Sequence, residues 1–323
     1  MNPVPKKDRI STRKQVQRQR YTKRMTSDGK PPIAAYGAWL SVCFFWGTTY
    51  LAIRIGVASL PPALFAGIRF VIAGILFMLI ARLAGFHLPP RSAWKDLAIS
   101  GFLFLAFANG LVVYAEQTIS SGMAAIIIST TPMWVVIIES FLPPRRPLNL
   151  LTIVGLLFGT GGVCIIFHRE LTETSFEVAH MQGLACALLA TFGWSAGSLY
   201  VKRTAIHAAP LAIAGPQNVI GGSVLVLLGL AMGEAPKFTL NASNAVSLAY
   251  LIIFGSLVGF GSFIYALSKL PAAFVTTYAY INPFVALTLG WLILHEPLSQ
   301  SMLLGSCVTV AGVALVNRST RAA

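Results

Sequence analysis

The sequence predicts an all-α membrane protein: ten transmembrane helices arranged as two inverted five-helix repeats. Three observations predict this. The 323 residues are 56% hydrophobic and only 11% charged, with a mean hydropathy of +0.73, where a soluble domain carries about 25% charged residues. Apolar runs of about 20 residues, long enough to cross the hydrocarbon core as helix, recur along the chain. The second half also repeats the residue order of the first. The runs do not alternate polar with apolar, as the ~10-residue strands of a membrane β-barrel would. A backbone that must satisfy its own hydrogen bonds in lipid is then left with the helix.

The elements follow in order. Residues 1–35 form a basic tail in which ten of the 24 Lys and Arg lie between Lys6 and Lys30. The tail is polar and without periodicity, and it reads as disordered and cytoplasmic. The net charge of +14 would otherwise suggest nucleic acid as a partner, but the crowding of ten of the 24 basic residues into the tail argues against that. The tail is too long for a signal peptide, and the next apolar run is full spanning length with no small-residue cleavage site. Helices are expected at 36–53, 63–82, 97–116, 121–140, 149–167, 181–200, 211–231, 246–268, 271–294 and 301–317. Pro61-Pro62, Pro89-Pro90, Pro143-Pro144 and Pro210 fall between runs, as do the segment His168 to His180 and the polar stretch Gly233 to Asn244. Only Lys269, Leu270 and Pro271 separate the eighth and ninth helices, so nine spans remain an alternative.

The distribution of charge favours ten. With the N-terminus in the cytoplasm, only Arg54, Arg169 and Lys237 fall on the far side, and Arg69 lies inside the second helix. The positive-inside rule then places both termini in the cytoplasm of a multi-pass inner-membrane protein. Cys43, Cys164, Cys186 and Cys307 sit within apolar runs without CxxC or Cys/His spacing, so neither a metal site nor a disulfide framework is indicated. No GxxxxGK[ST] phosphate loop is present, and no cofactor is expected.

The repeat is visible as matched residues at nearly constant offset. Trp46 matches Trp194, Gly67 matches Gly215 and Gly74 matches Gly222. Gly110 to Ala115 matches Gly261 to Ala266, and Pro132 matches Pro283. Gly155 matches Gly305, and Gly162-Val163 matches Gly312-Val313. The expected units are 36–168 and 181–317. An odd number of helices per unit makes the second enter the membrane from the opposite side. That is the inverted-repeat plan of many secondary transporters, whose sites lie near the midplane between repeats.

These residues resemble the EamA branch of the drug/metabolite transporter superfamily. In the first half the resemblance rests on Phe45-Trp46-Gly47, Tyr114-Ala-Glu116-Gln117, Ser121 to Ala125, Thr131-Pro132-Met-Trp134 and Gly155 to Gly162. In the second it rests on Trp194 to Tyr200, Asn282-Pro283, His295-Glu296-Pro297-Leu298, Gly305 and Ala311-Gly312-Val313. The resemblance implies ten helices and a central cavity lined mainly by helices one, three, four, six, eight and nine. It also implies export of metabolites or drugs. One departure is that Glu296 aligns with Arg145, so only the second half carries this carboxylate.

Polar groups within spanning segments are costly and point to function. Arg69 could hold an acidic solute, pair with Glu139 or snorkel to an interface. Glu116 and Gln117 end the third helix as candidates for gating, coupling or solute contact, or as an interfacial helix end, and Glu139, two turns beyond Pro132, is a further gating or coupling candidate or an ion-pair partner of Arg145 or Arg146. Glu296, beside Pro297, reads as a helix cap. Pro132 and Pro283 interrupt helices at matching places, a pointer to a binding site. Trp46, Tyr50, Tyr114, Trp194, Tyr265 and Asn282 are the remaining solute-binding candidates, because Trp and Tyr offer an apolar body with a polar tip. Gly193-Trp-Ser195-Ala-Gly197 matches GxSxG, but an esterase elbow needs a strand-to-helix turn and this segment lies mid-helix. The chain therefore reads as no enzyme. Gly155-xxx-Gly159 and Gly255-xxx-Gly259 suit close helix approach or, less simply, a homodimer. The leading expectation is a secondary exporter of small metabolites, amino-acid-like or aromatic, or of drugs, in contact with lipid and a small-molecule substrate. The alternative is a membrane binding or signalling protein without translocation.

Overall fold

The computed structural model describes residues 32–142, 149–173, 178–204, 206, 208–270, 275, 277–296 and 298–322. The basic tail through residue 31, the pair Arg145 and Arg146, and Pro271, where the ninth helix was expected to begin, lie outside them. The described elements are helical: α1 (Ile33–Val57), α2 (Pro62–Leu83), α3 (Arg91–Ala115), α4 (Ser121–Phe141), α5 (Leu150–Glu173), α6 (Val178–Arg203), α7 (Pro210–Ala231), α8 (Ala242–Lys269), α9 (Tyr278–Leu294) and α10 (Gln300–Ala322). Among them α1, α2, α3, α4, α6, α7 and α8 are long and apolar enough to cross a membrane. Shorter apolar helices run over Leu150–Ile165, Tyr278–Leu294 and Gln300–Val316. This is compatible with the ten expected spans.

Local chemistry sets the ends. Pro61 precedes α2, with Pro62 in its first turn, where a missing N–H costs nothing. The Glu234 carboxylate, arriving from beyond α7, accepts from the Leu64 N–H at 2.8 Å and the Ala63 N–H at 3.3 Å. It thereby satisfies two of the first-turn donors of α2 that have no partner within the helix. α8 begins four residues earlier than expected because Asn241 and Asn244 form a reciprocal capping box.

Two helices depart from regular α geometry. α4 is broken between Ile128 and Thr131. Three successive hydroxyls turn back onto the preceding turn there: Ser129 onto the Ile126 carbonyl (2.6 Å), Thr130 onto Ile127 (2.7 Å) and Thr131 onto Ile128 (2.6 Å). Such bonds compete with the helical ladder, and Pro132 follows in the first turn of the second piece. α3 and α8 each contain a π-helical stretch, Phe102–Asn109 and Leu251–Phe260, at repeat-matched places. Wide turns of this kind are frequent at functional sites.

Two helix pairs cross at glycines in a reciprocal pattern. A Cβ added at Gly74 would stand 2.6 Å from the Val219 nitrogen and 2.8 Å from the Gly215 carbonyl oxygen. One at Gly222 would stand 2.7 Å from the Val71 nitrogen and 2.9 Å from the Gly67 oxygen. Residue numbers rise along α2 as they fall along α7, so the two run antiparallel, and repeat-matched glycines exchange partners. The pair α5 and α10 does the same: Gly155 faces Gly312, and Gly162 faces Gly305 and Thr309. Reciprocal contact is what a two-fold axis between the halves would produce, and it is compatible with the inverted repeat. Small residues let backbones approach where lipid supplies no hydrophobic drive. Gly155 and Gly159 thus contact helices of the same chain, as do Gly255 and Gly259, which lie against Arg69 and Trp46.

Candidate solute-binding cavity

Two repeat-matched tryptophans meet at the centre of the molecule. Trp46 of α1 and Trp194 of α6 stand edge to face with ring centroids 5.3 Å apart. Phe263 and Tyr278 lie 5.0 Å from Trp46, and Phe104 lies 4.8 Å from Trp194. Aromatic pairs in such edge and offset geometry gain roughly 0.5–1.5 kcal/mol each beyond area burial. The Trp46 indole N–H is held by the Gly255 carbonyl at 3.1 Å, a group within the π stretch of α8. A wide turn releases carbonyls from the regular ladder, and here one of them fixes the ring's orientation.

Beneath these rings lies a cavity of about 70 Å³. Its wall takes Trp46, Thr49, Tyr50 and Ile53 from α1, Leu105, Ala108, Asn109 and Val112 from α3, and Ile128 at the break in α4. Ala190 and Trp194 of α6, Gly255, Ser256 and Phe260 of α8, and Tyr278 of α9 complete the set implied by the resemblance. Two further helices contribute as well: Arg69 and Phe70 come from α2, and Asn218 comes from α7. Asn109 and Phe260, which match across the repeat, both lie in the π stretches and both face the space.

Arg69 is the cavity's one charged residue among those that line it, and it is only 4% exposed. Its Nε–H donates to the Ser256 hydroxyl at 3.0 Å, and its guanidinium carbon lies 4.8 Å from the Phe70 ring centroid. Among the described residues its Nη1 has no hydrogen-bond partner. The Asn218 amide N–H donates to the Ala214 carbonyl at 2.9 Å, and among the described residues Oδ1 has no partner. Of the sequence candidates, the cavity therefore gathers Trp46, Tyr50, Trp194 and Arg69.

The other candidates stand elsewhere. Tyr114 is 39% exposed, and Gln117 is exposed at the end of α3. Tyr265 is half-buried beside the hydrophobic core and does not line the space. Asn282 is buried in α9, its amide donating to the carbonyls of Cys43 at 2.9 Å and Tyr278 at 3.2 Å, so it joins α9 to α1 behind the aromatic wall. Glu116 is fully buried; Arg54 donates to its backbone carbonyl, and among the described residues neither carboxylate oxygen has a hydrogen-bond partner. Glu139 is half-buried near the end of α4. Pro132 opens the second piece of α4, and Pro283 lies inside α9. Thr49, Asn109, Asn218 and Ser256 were not singled out from the sequence. Asn109 and Asn218 sit in the middle of apolar runs, a signal that could have found them.

Ser195 of the GxSxG-like run is buried mid-helix in α6, where its hydroxyl donates to the carbonyls of Thr191 (2.7 Å) and Thr131 (3.0 Å). The second bond ties α6 to α4. That is the work of a structural hydroxyl.

A model of the EamA-like transporter family matches this chain twice, over residues 33–168 and again over 181–318. The chain belongs to the EamA-like transporter family. Among EamA relatives it is 32% identical to "Uncharacterized inner membrane transporter YedA" of Escherichia coli K12, over 87% of this chain and 90% of that protein. It is 28% identical to "Uncharacterized transporter sll0355" of Synechocystis, over 85% and 87% of the two chains. It is also 26% identical to a chloroplastic WAT1-related protein of Arabidopsis thaliana, over 90% of this chain and 71% of that one. A crystal structure superposes with a TM-score of 0.66 at 18% identity, covering 90% of this chain and 99% of the other, which is a likeness of fold. The EamA-like chain is thus a multi-pass membrane protein of a transporter family, and membership suggests a non-enzymatic role.

Proposed function

We propose that the protein is a secondary transporter that moves a small organic solute across the cell inner membrane by alternating access at the cavity between its two halves. The observation that carries this reading is the shared wall: Trp46 and Arg69 come from one half, Trp194, Asn218 and Ser256 from the other, and they surround one space. A rocking of one half against the other would open that space to one side and then the other, with little change inside either half. The reciprocal glycine contacts of α2 with α7 and of α5 with α10 supply two seams about which such a motion can turn. The repeats are 36–168 and 181–317, inverted with respect to each other, and both termini are cytoplasmic. Export is the direction taken from the family resemblance.

The test is flux. Purified full-length protein in liposomes should exchange a labelled solute against an excess of the same solute on the other side. Binding without any exchange would instead support the reading as a binding or signalling protein.

A further inference from the structure

We propose that the solute is a compact organic monoanion, a short 2-hydroxycarboxylate, whose carboxylate pairs with Arg69 and whose hydroxyl donates to Asn218 Oδ1. The proposal rests on the reading of the cavity as the solute site and names what enters it.

Arg69 carries the charge argument. A buried guanidinium is ordinarily paired, because an uncompensated charge taken from water costs several kcal/mol. Here one donor is spent on Ser256, while Nη1 has no partner. The carboxylate of Glu116 lies within electrostatic reach of this charge, but among the described residues neither of its oxygens makes a hydrogen bond, so Nη1 is left free to bind a solute. The repeat provides an internal comparison. The position matching Arg69 in the second half is Gln217, whose amide donates to the Ser100 hydroxyl of α3 at 2.8 Å. Each residue thus reaches a serine on a helix of the opposite half, and at Gln217 a neutral side chain makes that bond. Tying α2 to α8 through Ser256 therefore needs no charge. Arg69 lines the cavity, its charge is not needed for that bond, and a planar guanidinium suits a carboxylate.

Asn218 and the cavity size narrow the class. An unpartnered buried carbonyl oxygen calls for a donor on the solute. An ammonium would bring a second charge, and among the described residues no carboxylate lines the space to balance it, so a hydroxyl on a monoanion fits better than a zwitterion. The space of about 70 Å³ is roughly half the ~150 Å³ that houses benzene in an apolar protein cavity. The apolar remainder of the solute must therefore be a few carbons, lying against Trp46 and Trp194.

The test measures binding to the purified full-length protein in detergent with defined probes: 2-hydroxypropionate, propionate, 2-hydroxypropionamide, alanine, benzoate and inorganic phosphate. The 2-hydroxypropionate should bind best, with the neutral amide weaker by about a hundredfold or more, the scale of a lost buried ion pair, and with alanine weaker because its ammonium brings a second charge into the space. Arg69→Gln should abolish the preference for the carboxylate over its amide, and Arg69→Lys should retain part of it. Asn218→Leu should erase the preference for 2-hydroxypropionate over propionate. The ligand series on the unaltered protein stands even if a variant fails to fold. The proposal is overturned if the amide or alanine binds as well as the carboxylate, if benzoate or phosphate binds better, if no carboxylate binds, or if Arg69→Gln leaves the preference intact. Arg69-dependent binding of 2-hydroxypropionate without flux in liposomes would sustain this proposal and refute transport. Flux of another solute, indifferent to Arg69, would do the reverse.

Discussion

Ser121 and Glu296 are joined by two hydrogen bonds: the Ser121 hydroxyl donates to Oε2 at 2.7 Å and its backbone N–H donates to Oε1 at 3.1 Å. A carboxylate from beyond α9 thereby caps the first piece of α4, at the positive end of that helix's dipole. The junction links a helix of the first half to a loop of the second. Glu296→Ala should therefore lower stability by about 1.5–3 kcal/mol, the range for hydrogen bonds to a charged group. Glu296→Gln should cost less, because it keeps an acceptor. Thermal unfolding of the purified protein in detergent would check this, and equal melting of Glu296→Ala and the parent would refute the capping role.

His295 delivers that carboxylate. It ends α9 in the left-handed region, with φ 54° and ψ 33°, and the Glu296 N–H returns to the Gly290 carbonyl at 3.1 Å. A side chain in this conformation costs roughly 1–2 kcal/mol relative to glycine. His295→Gly should raise the melting temperature or leave it unchanged, while β-branched His295→Val should lower it. The opposite order would mean that the imidazole, and not the backbone turn, holds the junction.

The glycine seams give a steric prediction. Replacing Gly74 by Val would press side-chain carbons onto the α7 backbone at Val219 and Gly215, and overpacking of this kind typically costs about 1–3 kcal/mol. Gly161, with nothing within 4 Å of an added Cβ, should accept Ala without loss. Comparing the two variants by yield of folded protein and by melting separates close approach from a general intolerance of side chains.

What the sequence could reveal follows from the same residues. Gly67, Gly74, Gly215 and Gly222 keep their spacing because their contacts are mutual, so the repeat was readable as an offset. Arg69 was conspicuous because a charge within an apolar run is costly to keep in lipid and rarely persists without a task. The face of each helix was not readable. Helices in lipid are apolar all round, so periodicity does not distinguish cavity from bilayer. Tyr114 and Tyr265 therefore looked equivalent to Trp46, although one is exposed and the other is half-buried against the core without lining the cavity. The π stretches of α3 and α8 compound this, because a wide turn shifts the register of everything after it.

That difference of face predicts a difference in activity. Trp46→Ala removes a cavity wall and the donor to Gly255, and it should cut exchange in liposomes by about tenfold or more, as loss of substrate positioning does. Trp46→Phe keeps the ring without the N–H and should fall between. Tyr114→Ala, on an exposed side chain, should exchange as the parent does. A Trp46→Ala variant that inserts normally and transports at the parental rate would remove the cavity assignment.

The final prediction concerns orientation. Because α2 and α7 run antiparallel, the loop that follows α2 and the loop that follows α7 must lie on opposite faces of the membrane. Phe86 and Leu240 are exposed in those two loops. With Cys43, Cys164, Cys186 and Cys307 replaced by serine or alanine, single cysteines at Phe86 and Leu240 can be probed with a membrane-impermeant thiol reagent. Phe86→Cys should react only from the cytoplasmic face, beside the basic residues Arg82, Arg91 and Lys95, as the positive-inside rule requires. Leu240→Cys should react only from outside. Reaction of both from one face would contradict the antiparallel pair, and with it the inverted repeat on which alternating access depends.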